Sequence, residues 1–161
     1  MPTSEGTPIN RTDPTGLFHY TFNYDLGASD LSASEFKSAV ASEFGKLFPV
    51  HGHASELTGN GQRMNLSWGP FPGPVEVSRM TPTGWRFNAK PGHGDYPGWI
   101  DFNFSQTSDC HLHLNVHAYV PDYSVSGALF GKGPYRRFVA SPIWGRFASN
   151  LREFNRRLEA A

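Results

Sequence analysis

From Phe18 the chain alternates. Phe18, Tyr20, Phe22 and Tyr24 fall on one side, and His19, Thr21, Asn23 and Asp25 on the other. A period of two predicts a strand with one aromatic face. The period then changes. Phe36, Val40, Phe44 and Leu47 or Phe48 recur at helical spacing, and Pro49 ends the run. Ser29 or Ser32 can cap this helix, and Ser32 with Glu35 forms a capping box.

Between His51 and Val120 short apolar runs are separated by turn residues. Met64, Leu66 and Trp68 alternate, "GPFPGP" turns, Val75 and Val77 alternate, and "TPTG" turns again. Trp85, Phe87 and Ala89 make a further strand, "KPGHGDYPG" loops, and Trp99–Ser105 and Cys110–Val120 complete a meander. "YSVSGALFGKGPYRRFVASP" reads as loop. A last helix starts near Ser141-Pro142, a cap followed by proline in the first turn. Its apolar stripe is Ile143, Trp144, Phe147, Leu151, Phe154 and Leu158.

Strand, helix, about five strands and a long helix describe an α+β fold. It is an antiparallel sheet of about six strands, with an N-proximal helix and a long C-terminal helix on one face. This element order resembles helix-grip domains, and also small toxin ribonucleases in which a helix precedes a meander.

Helices on one face assign the apolar strand positions to the core: Phe22, Leu66, Phe87, Ile100, Phe102, Phe104, Leu112, Leu114 and Val116. The opposite face then carries Asn65, Arg86, Asn88, Asp101, Asn103, His111, His113, Asn115 and His117. Solvated sheet faces favour Thr, Lys, Glu and Arg, and asparagine is depleted in strands. A face of Asn and His therefore marks a recognition or catalytic surface. In the hairpin from Trp99 to Tyr119 the reading pairs Ser105 with His111, Asn103 with His113 and Asp101 with Asn115. Asp101 then sits diagonally near His113 and His117. A carboxylate beside an imidazole fixes its tautomer and makes it a general acid or base near neutral pH. His111, His113 and His117 with Asp101 are the candidate catalytic groups, and Arg86 is the candidate for stabilising a phosphorane. Asn103, Asn115 and His93 are candidate substrate contacts, together with Lys132, Arg136 and Arg137 of "GKGPYRRF".

The H-x-H-x-x-x-H spacing of His111, His113 and His117 also suits a metal. Cupin-like sites place a carboxylate at the third position, however, and the surrounding glycines do not match. The reading therefore carries no metal and no cofactor. The zinc deaminase PCxxC and the ExE or QxE pair of ADP-ribosyltransferases are absent, and Gly131–Phe138 lacks Walker spacing. Cys110, the single cysteine, excludes an intrachain disulfide. By alternation it points away from His111 as an inert core thiol.

Composition narrows the partners. The 161 residues contain 14 Lys or Arg and 14 Asp or Glu, giving zero net charge. Residues 1–120 hold seven basic against eleven acidic groups, and residues 121–161 seven against three. Binding nucleic acid by bulk charge usually takes more than this, so such binding must be local to the C-terminal region. With Leu129, Phe130 and Phe138, that region can also touch an anionic membrane. No apolar run approaches the ~18 residues that span a bilayer. "MPTSEGTPIN" does not have the regions of a signal peptide.

"TPINRTDPTGLF" (Thr7–Phe18) resembles the junction that ends the core of Rhs and other YD-repeat proteins, including the C component of insecticidal Tc toxins. The likeness covers Pro8 to Leu17. It implies that residues 1–17 are the lead-in from a repeat-built shell and that residues 18–161 are a single toxin effector domain. Such a domain is released by cleavage near Leu17–Phe18 and delivered into the target-cell cytoplasm. The implied partners are the encapsulating shell and a cognate immunity protein. The resulting expectation is a toxic enzyme, favoured as a metal-independent nuclease acting on RNA. The alternatives are a helix-grip module binding a small or lipid-like ligand, and an enzyme modifying a host protein.

Overall fold

The computed structural model describes residues 17–67 and 69–161. The junction segment upstream of Leu17 and the indole of Trp68 lie outside the described residues. Six strands form one antiparallel sheet: β1 (Leu17–Ala28), β2 (Arg63–Asn65), β3 (Pro74–Thr81), β4 (Gly84–Ala89), β5 (Trp99–Gln106) and β6 (His111–Pro121). Their order is β1-β6-β5-β4-β3-β2, so the first strand closes on the last and everything between is meander.

The helical run after β1 is divided. α1 (Ala33–Ser42) begins with the capping box, Ser32 Oγ accepting from the Glu35 amide at 3.1 Å and Glu35 Oε1 from the Ser32 amide at 2.8 Å. The helix breaks at Glu43, and α2 (Phe44–Leu47) carries Phe44 and Leu47 into the core. β2 is shorter than the alternation suggested. It stops at Asn65, and Ser67 makes only a bridge to His51.

The segment after β6 is helical rather than loop. α3 (Val125–Phe130) is capped by Ser124, and α4 (Lys132–Tyr135) follows Gly131 at φ +74°. A π-helical turn, Arg136–Ala140, runs directly into α5 (Ser141–Ala160). Ser141 therefore has helical dihedrals and caps nothing. Proline inside a helix removes one amide and presses its ring on the carbonyl four residues back. The wider π turn ahead of Pro142 accommodates both effects.

α5 follows the predicted stripe, burying Trp144, Phe147, Leu151 and Phe154. Phe147 meets Phe48 and Phe102 at ring distances of 5.1 and 5.7 Å. The six strand positions Phe87, Phe102, Phe104, Leu112, Leu114 and Val116 are 0–1% exposed on the core side, with Phe22, Leu66 and Ile100 packed at its margin. α5 also holds the sheet by a polar clamp. The buried Asn155 donates to the carbonyls of Leu26 and Ala28, both at 3.0 Å, across the bulge where β1 changes register at Gly27.

Candidate functional site

The polar face exists, but its pairing differs from the sequence reading. Ser105 pairs with His113, Asn103 with Asn115 and Asp101 with His117, two residues along from the predicted register. The turn explains the slip. Cys110 adopts φ +64° and closes a tight loop in which the Cys110 amide donates to Thr107 and the Thr107 amide to His111. Cys110 is thus an exposed turn residue, not a core thiol. A slip of two preserves which face each side chain occupies.

The new register changes the chemistry. Asp101 does not serve a histidine. Arg86 grips it bidentately at 2.5 and 2.8 Å and stacks 3.6 Å from the Trp99 ring centroid. The carboxylate–imidazole pair on this face is Asp25 with His111, 2.9 Å apart. His111 holds the Asp25 carboxyl below its ordinary value, and Asp25 raises the half-buried His111 in return. His113 Nδ1 lies 2.9 Å from Asn23 Oδ1, and His117 Nε2 lies 3.1 Å from His19 Nδ1. Asn115 contacts Asn23 and donates to Ser105, while Asn103 accepts from Thr83 at 2.7 Å. The face is a ladder of side chains spent on one another. Among the described residues no group of three or more His, Cys, Asp and Glu side chains is arranged to hold a metal ion.

The basic segment does not form a cradle. Arg136 donates to the Thr21 carbonyl at 3.2 Å and covers the Phe22 ring, Arg137 leans on Phe138, and Lys132 opens α4. Of the predicted contacts, His93 lines a cavity.

That cavity has a volume of about 670 Å³ on the core side of the sheet. Val75, Phe87, Ile100 and Ala118 line it from the strands, and Val139, Ile143 and Trp144 from the helical segment that ends in α5. Leu129 and Phe130 of α3 and the Gly92–Pro97 loop close the sides. This loop meets α3 closely at Gly94, whose carbonyl accepts from the Ser126 amide at 2.8 Å. Several wall residues, Phe71, Tyr96, Tyr123, Val125 and Leu129, are exposed.

Polar groups gather at one pole of this apolar space. Trp144 Nε1 donates to Tyr20 Oη at 3.1 Å, and Tyr135 Oη donates to Asp95 Oδ2 at 2.7 Å. Burial pushes both phenols far above their ordinary pKa, so each keeps its proton. His93 Nδ1 accepts from the Asp95 amide at 2.9 Å, which places the proton of the neutral ring on Nε2. Burial lowers the His93 pKa, against the pull of Asp95. Sequence reasoning missed Tyr20, Asp95, Tyr135 and Trp144 as a set. One signal was present. The core row of β6 shrinks from Leu112 and Leu114 to Val116 and Ala118, which leaves space above Ala118.

The fold is a helix-grip fold: an antiparallel sheet, two short helices near its start, and a long terminal helix with a cavity beneath it. It is similar to the di-domain ARO/CYC StfQ from the steffimycin biosynthetic pathway, with a TM-score of 0.60 and 13% identity. The match covers 90% of this chain, which spans about half (52%) of that one. Similar too are Ara h 8.0201 (TM-score 0.57, 10% identity, 86% of this chain and 97% of that one) and a START superfamily protein from Mycobacterium smegmatis (0.56, 13%, 88% and 98%). At such identities the likeness is one of fold. No protein-family model and no curated protein matches the sequence.

Proposed function

We propose that the chain is a small-molecule binding module whose site is the cavity between the sheet and α5. The observation that carries this reading is the cavity itself: about 670 Å³, walled mainly by apolar and aromatic side chains, with a few polar groups converging at one end. Ligand sites have this size and make-up, with apolar walls for affinity and a few polar groups for orientation. The helix-grip neighbours support the same reading.

A neutral polycyclic fluorophore, 1-pyrenemethanol, tests it. Binding is expected to be saturable and to quench or shift the pyrene emission. Ile143→Trp, which enlarges a wall residue on α5, is expected to weaken it by about tenfold or more. A wild-type protein with no saturable binding would sink the reading. The outer-face expectation makes the opposite demand. A metal-independent ribonuclease cleaves RNA in EDTA, loses that activity in His117→Ala, and keeps it in Ile143→Trp.

Delivery from a repeat-built shell is a further proposal and rests on the resemblance at Pro8–Leu17. Expressing residues 18–161 in bacteria and in yeast tests the toxin part of it. Growth arrest in either host supports it, and indifference of both counts against it.

A further inference from the structure

The cavity wall contains no lysine and no arginine among the described residues. Three nearby cations have partners outside it. Lys90 reaches to Glu76 at 3.6 Å, Arg136 to the Thr21 carbonyl, and Arg86 to Asp101 on the opposite face of the sheet. Among the described residues the one carboxylate in the wall is Asp95. Tyr135 donates to its Oδ2, while Oδ1 has no hydrogen-bond partner among the described residues. The rings of Tyr20, His93, Tyr96, Tyr135 and Trp144 line the same cavity, Tyr135 and His93 in direct contact with Asp95.

This distribution has an electrostatic consequence. An anion entering the cavity loses its water and meets a carboxylate, with no lysine or arginine in the described wall to pair with it, and in a space of reduced dielectric that repulsion is strong. A cation or a neutral hydrogen-bond donor meets the reverse. Its charge is balanced by Asp95, and the aromatic rings lining the cavity offer cation–π attraction. Resting on the reading of this cavity as a ligand site, we infer that it selects by charge. It accepts an aromatic molecule with a protonated amine or a neutral hydroxyl at the end that meets Asp95, and it rejects carboxylates. Fatty acids and anionic lipids are thereby excluded as ligands, although the walls are apolar enough for their chains.

Three probes with one ring system separate charge from shape: 1-pyrenemethylamine, protonated at neutral pH, 1-pyrenemethanol and 1-pyrenecarboxylate. Fluorescence titration is expected to rank the amine at or above the alcohol, with both about tenfold or more tighter than the carboxylate. Asp95→Asn keeps an acceptor for the Tyr135 hydroxyl and removes only the charge. It is expected to leave the alcohol within about twofold, to bring the amine down to the alcohol, and to narrow the carboxylate's deficit. Tyr135→Phe, which frees Asp95 of its internal donor, is expected to preserve the ranking. If the alcohol binds but the carboxylate matches it, or Asp95→Asn leaves the carboxylate's deficit relative to the alcohol undiminished, charge selection is overturned while the site stands. If the alcohol itself does not bind, the site fails and charge selection with it.

Discussion

Ala118 lies on β6 opposite Tyr20 on β1 and Ile100 on β5, is 1% exposed, and lines the cavity. In a close-packed interior, enlarging such an alanine costs about 1–3 kcal/mol, because neighbours are driven from their rotamers. Here the space above it is open. Ala118→Leu adds three carbon atoms, which at about 0.8 kcal/mol each contribute at most about 2.4 kcal/mol if fully covered. Ordering the leucine takes back about 0.5–1 kcal/mol. The expected net is a stabilisation of about 1.5 kcal/mol, or about 3–6 °C in Tm for a domain of this size. The same side chain occupies volume that a ligand needs, so affinity for 1-pyrenemethanol is expected to fall as Tm rises. Calorimetry and fluorescence titration read the two effects separately. A drop in Tm of more than about 2 °C, the overpacking result, would refute the claim that the strand floor is open.

Other consequences follow from the clamp and from the ion pair on the outer face. Asn155→Leu keeps the volume but removes the donors to Leu26 and Ala28, leaving two carbonyls short of partners. A loss of about 2–4 kcal/mol is expected, with faster amide exchange at the end of β1, and unchanged stability would show that the clamp is idle. For Asp25 and His111 the signs are opposite. The raised imidazole contributes stability that is lost as pH rises through its folded value, and the lowered carboxyl contributes stability lost as pH falls through its own. The pair therefore contributes most between the two titrations. NMR is expected to place His111 above the ordinary histidine value and to return it there in Asp25→Asn, whereas a His111 titrating below that value contradicts the pairing. Lys37 sits on α1 with its ammonium 3.0 Å from the Met80 sulfur, and burial lowers its pKa. Lys37→Met is expected to hold or raise Tm, because no ion pair is lost with the charge, and a clear fall would show that the ammonium is stabilising.

Periodicity carried the strand faces and the two main helices, because burial writes the same alternation into every strand. It carried parity but not register. Cys110, an apolar residue continuing the alternation of β6, takes the left-handed conformation of the turn and shifts the hairpin by two. That slip misplaced Asp101, whose partner Arg86 was already visible on the same face. The helices after β6 were hidden by Gly131, Gly133 and Pro134, residues that punctuate loops more often than helices. The cavity was the hardest to see. It is made by what is small, Ala118 and the glycines of the Gly92–Pro97 loop, and by the tertiary meeting of Tyr20, Asp95, Tyr135 and Trp144, which are spread from β1 to α5. The Asn/His face stood out because its composition is unusual for strands, and the structure shows those side chains bonded to one another.

Both candidate surfaces belong to the same sheet and lie on opposite sides of it, so one spectrum distinguishes them. In ¹H–¹⁵N correlation spectra titrated with 1-pyrenemethanol, the account predicts shifts at the Trp144 indole and at the amides of Ala118, Ile143 and the Gly92–Asp95 loop. The side-chain resonances of His113 and His117 are expected to stay in place. Shifts confined to the histidine face, or none at all, would contradict the cavity as the site at which this domain works.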